Sequence, residues 1–113
     1  MRVGLLHGSL SADDSARASA FLNRLMRSTG ARPQIFTGAA EPLLIQLQEG
    51  QLDLVIGEVA ADSPWIDEVA VIEPLAERPL AGRTIRLSPI ARNGENRWIM
   101  LLEGAVRDLK AGA

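Results

Sequence analysis

The stretch "RVGLLHGSLSADDSARASAFLNRLM" sets His7, Ser9, Ser11 and Asp13 close together between an apolar run and an amphipathic one. An imidazole, a hydroxyl and a carboxylate are the parts of a nucleophile–base relay. Their spacing here matches no nucleophile elbow or triad signature. His7 is the sole histidine and cysteine is absent, so neither a multi-histidine metal centre nor a thiolate nucleophile can be assembled. Asp62, Asp67 and Glu68 lack the alternating oxygen ligands and central glycine of a calcium loop and read as a solvated acidic edge. What remains is contact chemistry. The first-turn amides of a helix lack intrahelical partners, so hydroxyls and an imidazole just before one can hold a polar ligand. Each residue also has a plain structural role: Ser11 as a helix cap, Gly8, Gly38 and Gly57 as turn glycines. Trp65, beside Ser63 and Pro64, is either a lid over the core or a wall against a ligand.

Positioning these residues requires elements that the pattern supplies. Arg2 to Leu6 is short and apolar, as a buried strand is. From Asp13 to Thr29, Ala18, Phe21, Leu22, Leu25 and Met26 keep the spacing of one helix face. Ser11 or Asp13 is its N-cap, Asp13 and Asp14 suit its dipole, and Gly30 suits its C-terminal left-handed position. A second strand fits Arg32 to Phe36, running out at Thr37 and Gly38. A short helix follows with Pro42 in its first turn and Leu43, Leu44 and Leu47 inward, ending at Gly50. Leu52 to Ile56 is a third strand, closed by Gly57. This alternation predicts parallel strands joined by right-handed crossovers.

Beyond Gly57, "AADSPW" reads as loop and "EVAVIEPL" as a fourth strand ended by Pro74. The proline-broken "AERPLAGR" leads to "TIRLSPIA", either one strand interrupted at Pro89 or two short ones. Asn93 and Gly94 form a turn. Glu95 to Ala111 is a closing helix with Trp98, Leu101, Leu102, Ala105, Val106 and Leu109 buried, and Gly112 ends it. In open parallel sheets the ligand crevice lies beyond the carboxyl ends of the strands, here His7–Ser11, Thr37–Ala40 and Gly57–Ser63.

At 113 residues, 47% of them apolar, the chain suits one globular domain over residues 1–113. A net charge of −2 and scattered arginines give no footprint for nucleic acid. No run approaches the roughly 18 to 20 apolar residues that span a bilayer, and Val3 to Leu6 is too short for a signal peptide.

The order of these pieces resembles one lobe of the type 2 periplasmic solute-binding proteins, the receptors of ABC transporters, whose fold also serves the effector domains of LysR-type regulators. "RVGLLHGS" before a helix is similar to the family's opening. "PLLIQLQEGQLDLVIGE" resembles its helix running into a glycine–aspartate strand, at Gly50 and Asp53 here. "VAVIEPL" resembles the strand that ends in a proline–aromatic pair, with Leu75 replacing the aromatic. "PIARNGENRWIMLLEGAVRDLKAGA" resembles the closing strand and helix. Two departures stand out. Only "AERPLAGRTIRLS" occupies the place of the family's second lobe, and "EVAADSPWI" lacks the arginine with which amino-acid receptors clamp a carboxylate.

The expectation is therefore an α/β, three-layer domain with a mainly parallel sheet ordered 2-1-3 at its start; a ferredoxin-like sandwich is the competing fold. The resemblance implies a small-molecule binding or sensing domain, contacting a small polar solute through His7, Ser9, Ser11, Thr37, Glu58 and Trp65. No cofactor, metal or catalytic residue is implied, and the partners would be an ABC permease and a second copy in a homodimer. The chain would be periplasmic if a leader is removed and cytoplasmic otherwise. A different class of reading makes it an assembly domain that dimerises through the half-cleft and binds nothing.

Overall fold

The computed structural model describes residues 1–6, 11–60 and 62–111. Strand β1 (Arg2–Leu6) leads to helix α1 (Ala12–Thr29), β2 (Gln34–Gly38), α2 (Ala40–Gln48) and β3 (Leu54–Ala60). A 3-10 turn (Pro64–Asp67), β4 (Ala70–Val71), β5 (Ala76–Leu80), β6 (Arg83–Ala91) and α3 (Asn96–Lys110) complete the order.

Helix α1 begins and ends where its chemistry dictates. Ser11 Oγ accepts from the Asp14 amide at 3.1 Å, which settles the cap on Ser11 rather than Asp13. Gly30 takes φ +73° and donates its amide to Met26 O, closing the last turn. The expected C-terminal Gly112 of α3 lies outside the described residues.

The sheet order is β2-β1-β3-β6-β4, with β5 pairing β6 as well. β1 runs parallel to both β2 and β3, giving the expected 2-1-3 start, and every further pairing, all onto β6, is antiparallel. Alternate residues of each central strand feed opposite faces. Val3, Leu54, Ile56 and Leu87 pack with Phe21 and Leu25 of α1 and Leu102 and Val106 of α3. Val55 and Ile90 pack with Leu43, Leu44 and Leu47 of α2. Helices on both faces make three layers, not the two of a ferredoxin-like sandwich.

Four local expectations need correction. Gly57 does not close β3, which continues to Ala60. The glycine is there because Leu6 of the neighbouring strand lies across it, where any Cβ would collide with the leucine side chain. The fourth strand shrinks to Ala70–Val71, although Ile72 and Leu75 still donate to Pro89 O and Leu87 O of β6 on either side of Pro74. The proline-broken stretch is a hairpin: Leu80 pairs Arg83 around Ala81 and Gly82, whose φ values of +50° and +78° are those of a two-residue type I′ turn. Leu101 is 41% exposed, because it lies about a quarter-turn from the centre of the stripe formed by Leu102, Ala105 and Val106.

The alternative of one strand or two at Pro89 resolves as one. Pro89 O accepts from Ile72, so the side of Pro89 that lacks a donor faces the break between β4 and β5 rather than the ladder to β3.

Candidate functional site

Because β1, β2 and β3 are parallel, their carboxyl ends share one edge: Leu6 lies beside Gly38, and Leu5 beside Ile56. Past that edge β3 continues, so Glu58, Val59 and Ala60 project beyond β1 while pairing with Leu87, Arg86 and Ile85 of β6. This ledge separates two hollows.

On the α1 side a cavity of about 380 Å³ is bounded by Ser11, Asp14 and Arg17 of the first turns of α1, and by Glu58, Arg78 and Ile85 of the sheet. Asp13 and Glu77 also reach it, so four carboxylates face two guanidiniums. Arg17 Nη1 sits 3.3 Å from Asp14 Oδ1 along the helix. Arg78 places Nε at 2.9 Å and Nη2 at 2.7 Å from one oxygen, Oε2, of Glu58. The Glu58 side chain is only 11% exposed, whereas that of Arg78 is 48% exposed. Among the described residues no hydrogen-bond donor reaches the other oxygen, Glu58 Oε1, at the cavity wall.

On the α2 side a smaller hollow of about 190 Å³ is apolar, walled by Leu6, Leu44, Val59, Trp65 and Ile90, with Ser63 and Arg83 among its polar members. The 3-10 turn fixes Trp65: Ser63 Oγ accepts from the Trp65 amide at 3.2 Å, and the ring packs on the α2-side core while bounding the hollow. Arg83 donates to Asp62 Oδ1 at 2.7 Å. That hydrogen bond and the guanidinium charge hold the Asp62 carboxyl below its ordinary value.

Of the residues expected at the mouth, Ser11 and Glu58 meet in the larger hollow, and Glu58 and Trp65 both border the smaller one. Thr37 is exposed at the end of β2 and borders neither. His7 and Ser9 lie outside the described residues. Sequence reasoning missed Arg17, Arg78 and Arg83. The loop after β3 indeed lacks a basic residue, but the β5–β6 hairpin brings two guanidiniums to the same ledge. Its signal was the polar–apolar alternation of "TIRL" shortly after the Ala-Gly pair. Among the described residues no group of three metal-ligating side chains gathers, and no helix is long and apolar enough to cross a membrane.

No protein-family model and no curated protein matches the chain in sequence. Solved structures do match in shape. A point variant of the arginine-bound form of domain 1 from TmArgBP superposes with a TM-score of 0.77 at 16% identity, over 98% of this chain and 92% of that one. Holo ArgBP from T. maritima gives 0.74 at 11%, over 97% and 90%. A Salmonella typhimurium periplasmic binding protein described for its high arginine specificity gives 0.73 at 10%, over 97% and 92%. Identities this low speak to architecture alone, and the architecture is that of one lobe of a periplasmic binding protein.

Proposed function

We propose that the chain is a solute-binding lobe whose ligand is a small polar molecule carrying one cationic group, held against Glu58 on the α1 side of the ledge. The observation that carries this reading is the Glu58 carboxylate, its side chain largely buried and, among the described residues, gripped through one oxygen only. A cationic N–H donor at the other oxygen would form a charge-assisted bond in a partly desolvated site. The surplus of carboxylates over guanidiniums around the cavity favours the same sign of ligand. Ser11 and the first turn of α1 offer polar contacts beside it. That an isolated domain 1 of the same fold is described in an arginine-bound form supports a lobe binding by itself. The role is binding rather than catalysis, and a lobe of this kind would serve an ABC permease in the periplasm.

Thermal shift and calorimetric titration against arginine, lysine, putrescine, glutamate and glucose test the reading. Cationic solutes should raise the melting temperature and glutamate should not. Glu58→Gln should abolish the response while keeping the fold. No shift with any cation, or an undiminished shift in Glu58→Gln, refutes the assignment. In the former case the assembly reading, with the half-cleft covered by a second copy, gains.

A further inference from the structure

The outer edge of β2 is a second surface with a specific valence, remote from the ledge. Among the described residues no strand pairs with it. Gln34 donates its amide inward to Met1 O at 2.7 Å, so strand alternation turns the peptide groups of Ile35 and Thr37 outward. Gln34–Gly38 carries no charge, no proline and no bulge, the devices that usually blunt an edge. It exposes two large apolar side chains instead, Ile35 at 43% and Phe36 at 41%.

We propose that this edge is a homodimer interface, in which β2 of two copies pair antiparallel about Phe36 and join the sheets into one. The strand's own chemistry selects that partner and register. Centred on Phe36, the pairing sets Ile35 of each copy opposite Thr37 of the other, so both outward peptide groups are satisfied in both chains. Phe36 then faces its own counterpart in a non-hydrogen-bonded pair, with Cα atoms about 4.5 Å apart. Moving the centre toward the N-terminus would bring Pro33, which has no amide hydrogen, into a bonding position. The antiparallel arrangement also brings Arg32, just before β2 in one copy, toward the first turn of α2, with Glu41, in the other. Both Arg32 and Glu41 are exposed, and among the described residues neither has an ion-pair partner within its own chain. The two-fold axis therefore generates the same opposite-charge juxtaposition twice. A dimer formed this way leaves the α1-side hollow open, because no residue of β2 or α2 lines it. Its fate is thus separable from that of solute binding.

Light scattering and sedimentation of the full chain should show a mass twice 12.2 kDa that falls toward 12.2 kDa on dilution. Phe36→Lys and Thr37→Pro should each raise the dissociation constant by about tenfold or more, with circular dichroism unchanged. Arg32→Glu should weaken the dimer, and Arg32→Glu combined with Glu41→Arg should restore it. Since the chain has no cysteine, Phe36→Cys supplies a direct readout. Mild oxidation should give a covalent dimer at concentrations where Leu80→Cys, comparably exposed on the hairpin tip, does not. A monomer at every concentration overturns the proposal. So does a dimer indifferent to Phe36→Lys, which would place the contact elsewhere. Phe36 is a surface residue, so that variant decides the matter even if Thr37→Pro fails to fold.

Discussion

Gly57→Ala probes the joint between the parallel part of the sheet and the ledge that carries Glu58. A methyl group at Gly57 would run into Leu6 Cγ and Cδ1 and come within 3.0 Å of Leu6 Cβ. Rotating Leu6 relieves the first two contacts but not the third, because Cβ is fixed to the backbone of β1. Carbon atoms rest at about 3.5–4.0 Å, so β1 and β3 must also part by several tenths of an ångström. Overpacking of this kind costs about 1–3 kcal/mol. For a domain near this size that is a fall of roughly 4 °C or more in melting temperature. The rotated leucine must go into the α2-side hollow that it now walls, so the same change should constrict that space. Urea unfolding of four proteins tests the account: the parent, Gly57→Ala, Leu6→Ala and the double variant. Leu6→Ala removes Cγ and both Cδ atoms, so the glycine substitution should cost less in that background, with a coupling on the order of 1 kcal/mol. If Gly57→Ala changes stability by less than about 0.5 kcal/mol, or costs the same with and without the Leu6 side chain, the close approach is not what keeps glycine there.

Two further outcomes follow from the same geometry. Ser11→Ala removes the acceptor for the Asp14 amide and should lower stability by about 1 kcal/mol in chemical denaturation, an effect Ser11→Asn should largely spare. Asp62 titrates below its ordinary value because Arg83 donates to it, so the pair supports the folded state above the carboxylate's unfolded value and loses that support as the pH falls through its folded one. An NMR titration of the Asp62 carboxyl should therefore move upward in Arg83→Gln, and the stability difference between the two proteins should vanish in acid.

Where structure follows from neighbours in sequence, the chain could be read directly. β1 spans Arg2–Leu6 as its apolar run indicates, α1 stops where Gly30 can turn left-handed, and Gly50 with φ +81° ends α2. The three-layer sandwich and the 2-1-3 order follow from the alternation of such local units. Errors arose wherever a residue's reason lay on another strand. Gly57 looks like punctuation in a single chain, yet Leu6 accounts for it. Pro79 and Pro89 look like breaks, yet Pro79 sits on β5, whose ladder is to β6, and Pro89 turns its donorless side to the gap beside β4. Pairing partners decide such cases, and a single sequence does not print them.

The candidate site divides along the same line. Ser11 could be read as a candidate because a cap and a mouth residue occupy the same place at a helix start, and Glu58 because it follows Gly57, although β3 in fact runs on through it. Their basic partners could not. Arg78 lies twenty residues from Glu58 and Arg83 twenty-one from Asp62, and only the β5–β6 hairpin closes those distances. The resemblance implies, for amino-acid receptors, an arginine in the stretch after the third strand's glycine. Here that stretch has none, and the ledge takes its guanidiniums from across the sheet. The difference has a chemical consequence. Arg78 spends both of its nearest donors on Glu58, and Arg83 is engaged by Asp62, so neither is free to clamp a ligand carboxylate in its present pairing. The arginines pair with the acids instead, Arg78 holding Glu58 through Oε2 and Arg83 holding Asp62 through Oδ1. Under the proposed reading such a site would recognise a ligand by its cation, and any carboxylate the solute carries would have to displace an ion pair to be bound.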